Sequence, residues 1–168
     1  SIVRGKEKPN DIDILLLFKN KIDKEIEYVV RKELEKHYKN LSVVTKNMKN
    51  AYSPFFDARE GIFFEGISLF SGKQVCKKHG FSSLGMFKYE FRDWNKLKKT
   101  KFYYAFNGRG TKKGIIEGLH CIKLSDGIVL VPLFVIEKMK EFLESWEIKY
   151  IYIPLLLPER LNKRKFLE

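Results

Sequence analysis

PNDIDILLLFKN, residues 9–20, is the stretch on which the reading of the chain turns. Its middle, Ile12–Phe18, is an apolar run of strand length, bounded by Pro9-Asn10 and Lys19-Asn20, and it reads as a buried strand. Residues 22–38, IDKEIEYVVRKELEKHY, follow with helical spacing: Ile22, Ile26, Val29, Val30 and Leu34 form one stripe, and charges fill the other face. Residues 41–45, LSVVT, read as a short strand. Strand, helix and strand at this spacing make an α/β unit. Two carboxylates stand at its threshold. Asp11 and Asp13 are two residues apart, so on a strand they share a face, about 6–7 Å apart, while Ile12 points to the other side. Like charges this close are unfavourable unless a cation joins them, and oxygen ligands suit hard ions such as Mg²⁺ or Mn²⁺. A plainer account also exists: Asp is common in turns that lead into strands.

Further along, IFFEGISLF (62–70) reads as helical. Residues 72–97 read as a short helix, a turn at His79-Gly80 and a longer helix capped by Ser82 or Ser83. KFYYAF (101–106) alternates like a strand and runs into the basic glycine turn NGRGTKKG (107–114). HCIKL (120–124) and IVLVP (128–132) read as a hairpin through Ser125-Asp126-Gly127. Residues 134–146 read as an amphipathic helix and IKYIYIPLLL (148–157) as a last strand, before a charged tail. The fold class predicted is α/β in the mixed α+β sense. A core unit covers 1–71, and 72–168 hold a basic helical connector and a small β-β-β-α-β module.

The chain has 168 residues, enough for one large domain or two small ones, with 33 Lys+Arg against 21 Asp+Glu and a formal net charge of +12. Such a charge argues about partners: a polyanion is the obvious one, and nucleic acid is commoner than an anionic membrane. The competing account is a Lys-rich surface throughout, since the lysines spread along the whole chain. No apolar run reaches membrane-spanning length and no signal-peptide pattern opens the chain. Cys76 and Cys121 are too few for a disulfide scaffold, and a cytoplasmic protein is the simplest reading. Without an initiating Met, the chain reads as a fragment or a processed product.

Two other segments carry candidate chemistry. VCKKHGFSSLGMFKYEF (75–91) resembles a helix-turn-helix, which would set Met86, Lys88, Tyr89 and Arg92 near a groove or its phosphates; helix pairs around a Gly turn are also common in any domain. Arg109, Lys112 and Lys113 follow Phe102, Tyr103, Tyr104 and Phe106, and aromatics beside cations suit stacking on bases with phosphate clamping. The plain alternative is a two-faced strand with a solvated loop. Cys76-x-x-His79 and His120-Cys121 read as a core Cys and surface His, since adjacent strand residues point apart and cannot share one metal.

The opening stretch as a whole resembles the signature of the polymerase-beta-like nucleotidyltransferase superfamily, the minimal archaeal and bacterial type above all. That signature is Gly-Ser, about ten residues often holding Arg-Gly and Pro, then Asp-apolar-Asp-apolar. Ser1, Arg4-Gly5, Pro9 and Asp11-Ile12-Asp13-Ile14 stand in those places. The resemblance implies a nucleotidyltransferase-like mixed sheet. It implies Mg²⁺ or Mn²⁺ on Asp11 and Asp13, which would be the catalytic pair. It implies a nucleoside triphosphate held near Ser1, Arg4 and Gly5, and transfer of a nucleoside monophosphate to a nucleic-acid or protein acceptor. Two features depart from the pattern. The Gly of Gly-Ser and the strand before it do not precede Ser1, and the third carboxylate expected on the next strand is replaced by Ser42, which cannot supply the charge of a catalytic base. Three readings therefore stand: an enzyme, a nucleic-acid-binding protein on a decayed enzyme scaffold, with Lys88, Arg92, Arg109, Lys112 and Lys113 as contacts, or a subunit completed by a partner chain.

Overall fold

The chain forms two units that part between Phe63 and Phe64, with Val3 and Arg4 grouped with the second. The computed structural model describes residues 2–4 and 11–162. The sequence placed the boundary near Ser71-Gly72; the observed one is earlier because the Phe64 ring is buried in the core of the second unit.

The first unit opens with β1 (Ile12–Phe18), the span read from its apolar run. α1 (Lys24–Glu35) follows, and Asp23 caps it by accepting hydrogen bonds from the backbone N–H groups of Glu25 and Ile26 at 2.9 and 3.2 Å. β2 (Leu41–Asn47) lies parallel to β1, with Ile12 opposite Leu41 and Phe18 opposite Asn47. Asn47 then caps the single turn α2 (Met48–Ala51). α3 (Arg59–Glu65) carries the chain into the second unit. The α1 stripe is only partly covered. Val30 and Leu34 are half-buried, yet Ile26 and Val29 are 49% and 58% exposed and no residue of α1 is fully buried. The reason is rotational. Glu27 and Arg31 take part of the sheet-facing side, and Arg31 donates to the Val43 carbonyl at 3.1 Å.

The second unit begins with the short hairpin of β3 (Ile67–Ser68) and β4 (Lys73–Gln74), so IFFEGISLF is helical only in its first half. A turn of helix, α4 (Val75–Lys78), leads into β5 (Phe81–Tyr89). There is thus no helix-turn-helix: the segment read as a second helix is a strand. Its residues alternate, with Ser83, Gly85, Phe87 and Tyr89 buried on one face, and Gly85 is a poor helix former at that centre. A Cβ at Gly85 would lie 2.8 Å from the Tyr152 ring and 3.2 Å from Ile136, so the bare backbone is what lets those side chains close over the strand.

Residues read as the strand KFYYAF are instead helical, in α5 (Lys96–Asn107). Asn95 caps it, accepting from the Lys98 N–H at 2.8 Å. The helical period is carried by Phe102 and Phe106, one turn apart, both with no exposed surface and stacked at 4.9 Å. Strand-like aromatic propensity yields here to burial of one helical face. The two-residue strands β6 (Gly108–Arg109) and β7 (Lys112–Lys113) form a miniature hairpin, followed by α6 (Ile115–Gly118). β8 (Ile122–Ser125) and β9 (Ile128–Pro132) make the hairpin expected through Ser125-Asp126-Gly127. α7 (Ile136–Ser145), β10 (Tyr150–Pro158) and a last turn, α8 (Glu159–Asn162), complete it.

Four strands form one antiparallel sheet in the order β10-β5-β9-β8. One face is packed by α5 and α7 around Phe87, Tyr89, Phe102, Phe106, Val129, Val131, Ile136, Met139 and Leu143. Tyr89 meets Phe102 and Phe106 edge-on at 5.9 and 5.5 Å, and Trp94 and Trp146 sit 6.2 Å apart at the rim. Such ring pairs add about 0.5–1.5 kcal/mol each beyond their burial. The class is therefore mixed α+β. Among the described residues no helix is long and apolar enough to cross a membrane.

Candidate functional site

In the first unit the carboxylate pair stands where the chain enters β1. Asp11 and Asp13 are exposed, whereas Ile12 and Ile14 between and after them are half-buried. Both carboxylates thus project from the open face of the β1–β2 ribbon. Neither is in an ion pair among the described residues. The parallel register sets Ser42 directly opposite Asp13, on the same face and also exposed. Beyond them the face turns apolar, with Leu17 and Val44 42% and 39% exposed.

The donor set of this face is two carboxylates, Asp11 and Asp13. Two carboxylates on one face suit Mg²⁺ or Mn²⁺, which commonly take one or two protein carboxylates and complete their shell with water and phosphate oxygens. No group of three or more His, Cys, Asp and Glu that could hold a metal occurs among the described residues. Ser42 occupies the neighbouring strand position with a hydroxyl, which can accept or donate a hydrogen bond but adds no charge.

The other residues expected at a nucleotide pocket are placed differently. Ser1 and Gly5 lie outside the described residues. Arg4 belongs to the second unit, where its guanidinium pairs with Glu65 and approaches the Tyr152 ring to 5.9 Å.

The basic candidates separate into two groups. Lys88 is exposed on β5, and Arg92, just past that strand, pairs with Glu90 at 3.3 Å. Tyr89 and Met86 do not face a groove together: Tyr89 is buried in the core, and Met86 lies on the opposite side of the strand. Arg109, Lys112 and Lys113 do come together, on the β6–β7 hairpin. Lys113 pairs with Glu117 at 2.6 Å. Arg109 lies over the Tyr104 ring at 4.6 Å, a contact created by the helical conformation of α5, which a strand reading of KFYYAF could not show. Among the described residues Lys112 enters no ion pair. Asn107 through Lys113, with Glu117, line an open cleft of about 390 Å³.

The cysteines are free thiols with structural surroundings. Cys76 is buried and its sulfur accepts from the Ser83 hydroxyl at 3.1 Å. Burial pushes the Cys121 thiol up to about 12, which makes it a poor nucleophile at neutral pH. No protein-family model, no curated protein and no solved structure matches this chain.

Proposed function

We propose that the first unit binds a divalent cation with a nucleoside triphosphate through Asp11 and Asp13, and that its reaction is transfer of a nucleoside monophosphate to an acceptor hydroxyl. The observation that carries this reading is the pair itself. In a chain with a net charge of +12, two exposed carboxylates share one strand face, and among the described residues neither enters an ion pair. An ion bound there would neutralise the triphosphate and orient the attacking oxygen. In the transfer, the acceptor oxygen bonds to the α-phosphorus and the bond from that phosphorus to the bridging oxygen breaks. Pyrophosphate leaves with the electron pair, and the hydroxyl proton goes to water. Ser42 beside Asp13 offers no charge to take that proton, so the arrangement favours binding over fast transfer. A reaction that consumes triphosphates fits a cytoplasmic protein, as do two free cysteines.

The test is Mn²⁺ binding followed by electron paramagnetic resonance, with each of ATP, GTP, CTP and UTP, on the wild type, Asp11→Asn/Asp13→Asn and Ser42→Asp. Nucleotide-dependent Mn²⁺ binding that disappears in the double variant and tightens in Ser42→Asp is the expected result. Equal binding by the wild type and the double variant removes Asp11 and Asp13 from the site.

A further inference from the structure

A second site lies in the other unit, and its argument does not use the carboxylate pair. The hairpin Gly108–Lys113 is locked by bare backbone. A Cβ on Gly114 would sit 2.3–2.4 Å from backbone atoms of Phe106, Asn107 and Gly108, and one on Gly108 would sit 2.4 Å from the Lys112 carbonyl oxygen. Gly108 also holds φ at 92°, a conformation open to glycine and rarely to other residues. The two strands of the hairpin therefore approach more closely than a side chain at Gly108 or Gly114 would permit, in a ladder of two residue pairs.

That ladder holds two cations in opposition. Arg109 is the direct cross-strand partner of Lys112. Directly opposed like charges destabilise a ladder, and among the described residues no carboxylate pairs with Arg109 or Lys112: Glu117, which lines the cleft, is paired with Lys113. An anion seated between Arg109 and Lys112 would turn that repulsion into attraction. The side of the site formed by α5 is aromatic and basic. Tyr104 is 43% exposed with the Arg109 guanidinium over its ring at 4.6 Å, and Lys101, three residues earlier on the same helix face, is exposed as well. The residues from Gly108 to Lys113 include no apolar side chain that would seat a lipid or an apolar peptide. Cations alternating with a ring match a chain of phosphates alternating with bases, and a cleft of about 390 Å³ is of the size that holds a small ligand such as one nucleotide.

We propose that the glycine-locked hairpin, with Tyr104 and Lys101 of α5, binds single-stranded nucleic acid, Arg109 and Lys112 clamping its phosphates and the aromatic side stacking a base. RNA and DNA strands share that chemistry.

The experiment is fluorescence anisotropy with a labelled ten-nucleotide RNA, the DNA of the same sequence and the DNA duplex, in EDTA, between 50 and 200 mM salt. EDTA and the absence of triphosphate make the result independent of Asp11 and Asp13. The wild type is expected to hold a single strand more tightly than the duplex. Binding of RNA alone, or of RNA and DNA alike, fits the proposal and shows which strand is read. Arg109→Gln/Lys112→Gln is expected to lose about tenfold in affinity and to flatten the dependence of log K on log salt by about 1.4, two phosphate contacts at about 0.7 each. Lys32→Gln/Lys39→Gln, the same charge change on the first unit, is expected to lose less than threefold. Tryptophan emission from Trp94 and Trp146 reports whether the second unit stays folded in each variant. Equal losses in the two double variants, tighter binding of the duplex, or no binding by the wild type would overturn the proposal.

Discussion

The two units solve opposite problems. In the second, rings and branched chains meet across one sheet face, and fifteen of the seventeen apolar side chains found buried belong to it. In the first, Val43 and Ala51 are the only buried apolar residues among those described, and the helix that should supply the core leaves Ile26 and Val29 open. Both units are rich in apolar residues, so composition is not the difference. Connectivity is. The second unit has a four-stranded sheet whose face is wide enough to receive two long helices, whereas the first presents a two-stranded ribbon with one long helix, α1. A ribbon that narrow cannot shield a full helical stripe. Asp11 and Asp13 stand on the exposed face of that ribbon.

Breaking the core of the second unit should give the largest effect. Phe102→Ala removes a fully buried ring at the centre of the aromatic cluster, and the expected loss is about 3–5 kcal/mol. Urea unfolding followed by tryptophan emission measures it, because both tryptophans lie in this unit. Val29→Ala in the first unit is expected to change stability by no more than about 0.5 kcal/mol, measured by amide exchange across α1 because that unit holds no tryptophan. Comparable losses at the two positions would erase the contrast between the units.

Next in size is Gly114→Ala. The added methyl meets backbone rather than a movable side chain, so the hairpin must shift, at an expected cost of about 1–3 kcal/mol by the same readout.

A pH titration sharpens the contrast from another side. Burial pushes the Tyr150 hydroxyl up to about 12, with its 2.8 Å hydrogen bond to Glu144 adding to the shift, and burial does the same to Cys121. Both ordinary values, 10.0 for the phenol and 9.0 for the thiol, lie below the folded ones. The unfolded chain therefore ionises first as pH rises. The stability held by these neutral groups is complete below about pH 9 and is lost as pH climbs towards 12. The urea midpoint of the tryptophan transition should be lower at pH 10.5 than at pH 8; an unchanged midpoint would show that these groups are not shielded from water.

The smallest effect should be a gain. Gly61 lies inside α3 with open space where a Cβ would go, so Gly61→Ala should stabilise that helix by about 0.5–1 kcal/mol and slow amide exchange across it.

How much of this was legible along the chain varies with the element. β1 was readable to its ends, because Pro9-Asn10 and Lys19-Asn20 bracket an unbroken apolar run. β8, β9, α7 and β10 followed their periods to within two or three residues. Two segments of the second unit did not. FSSLGMFKY was read as a helix because Ser82 and Ser83 look like caps, although Gly85 and the alternation of buried residues mark a strand. KFYYAF alternates like a strand, although Asn95 and the spacing of Phe102 and Phe106 mark a helix. In both, a local preference competed with a period that only the covering element could decide.

The carboxylate pair and its shared strand face are legible in the sequence, because two-residue alternation along a strand follows from backbone geometry. Only the tertiary structure decided that Ser42 faces Asp13, that Arg4 pairs with Glu65, and that Tyr104 carries Arg109 beside an opposed Lys112. Those facts depend on register, on which unit a side chain joins and on a glycine-tight approach of two backbones. Each is a relation between residues apart in the chain or in different elements, set by packing rather than by local preference.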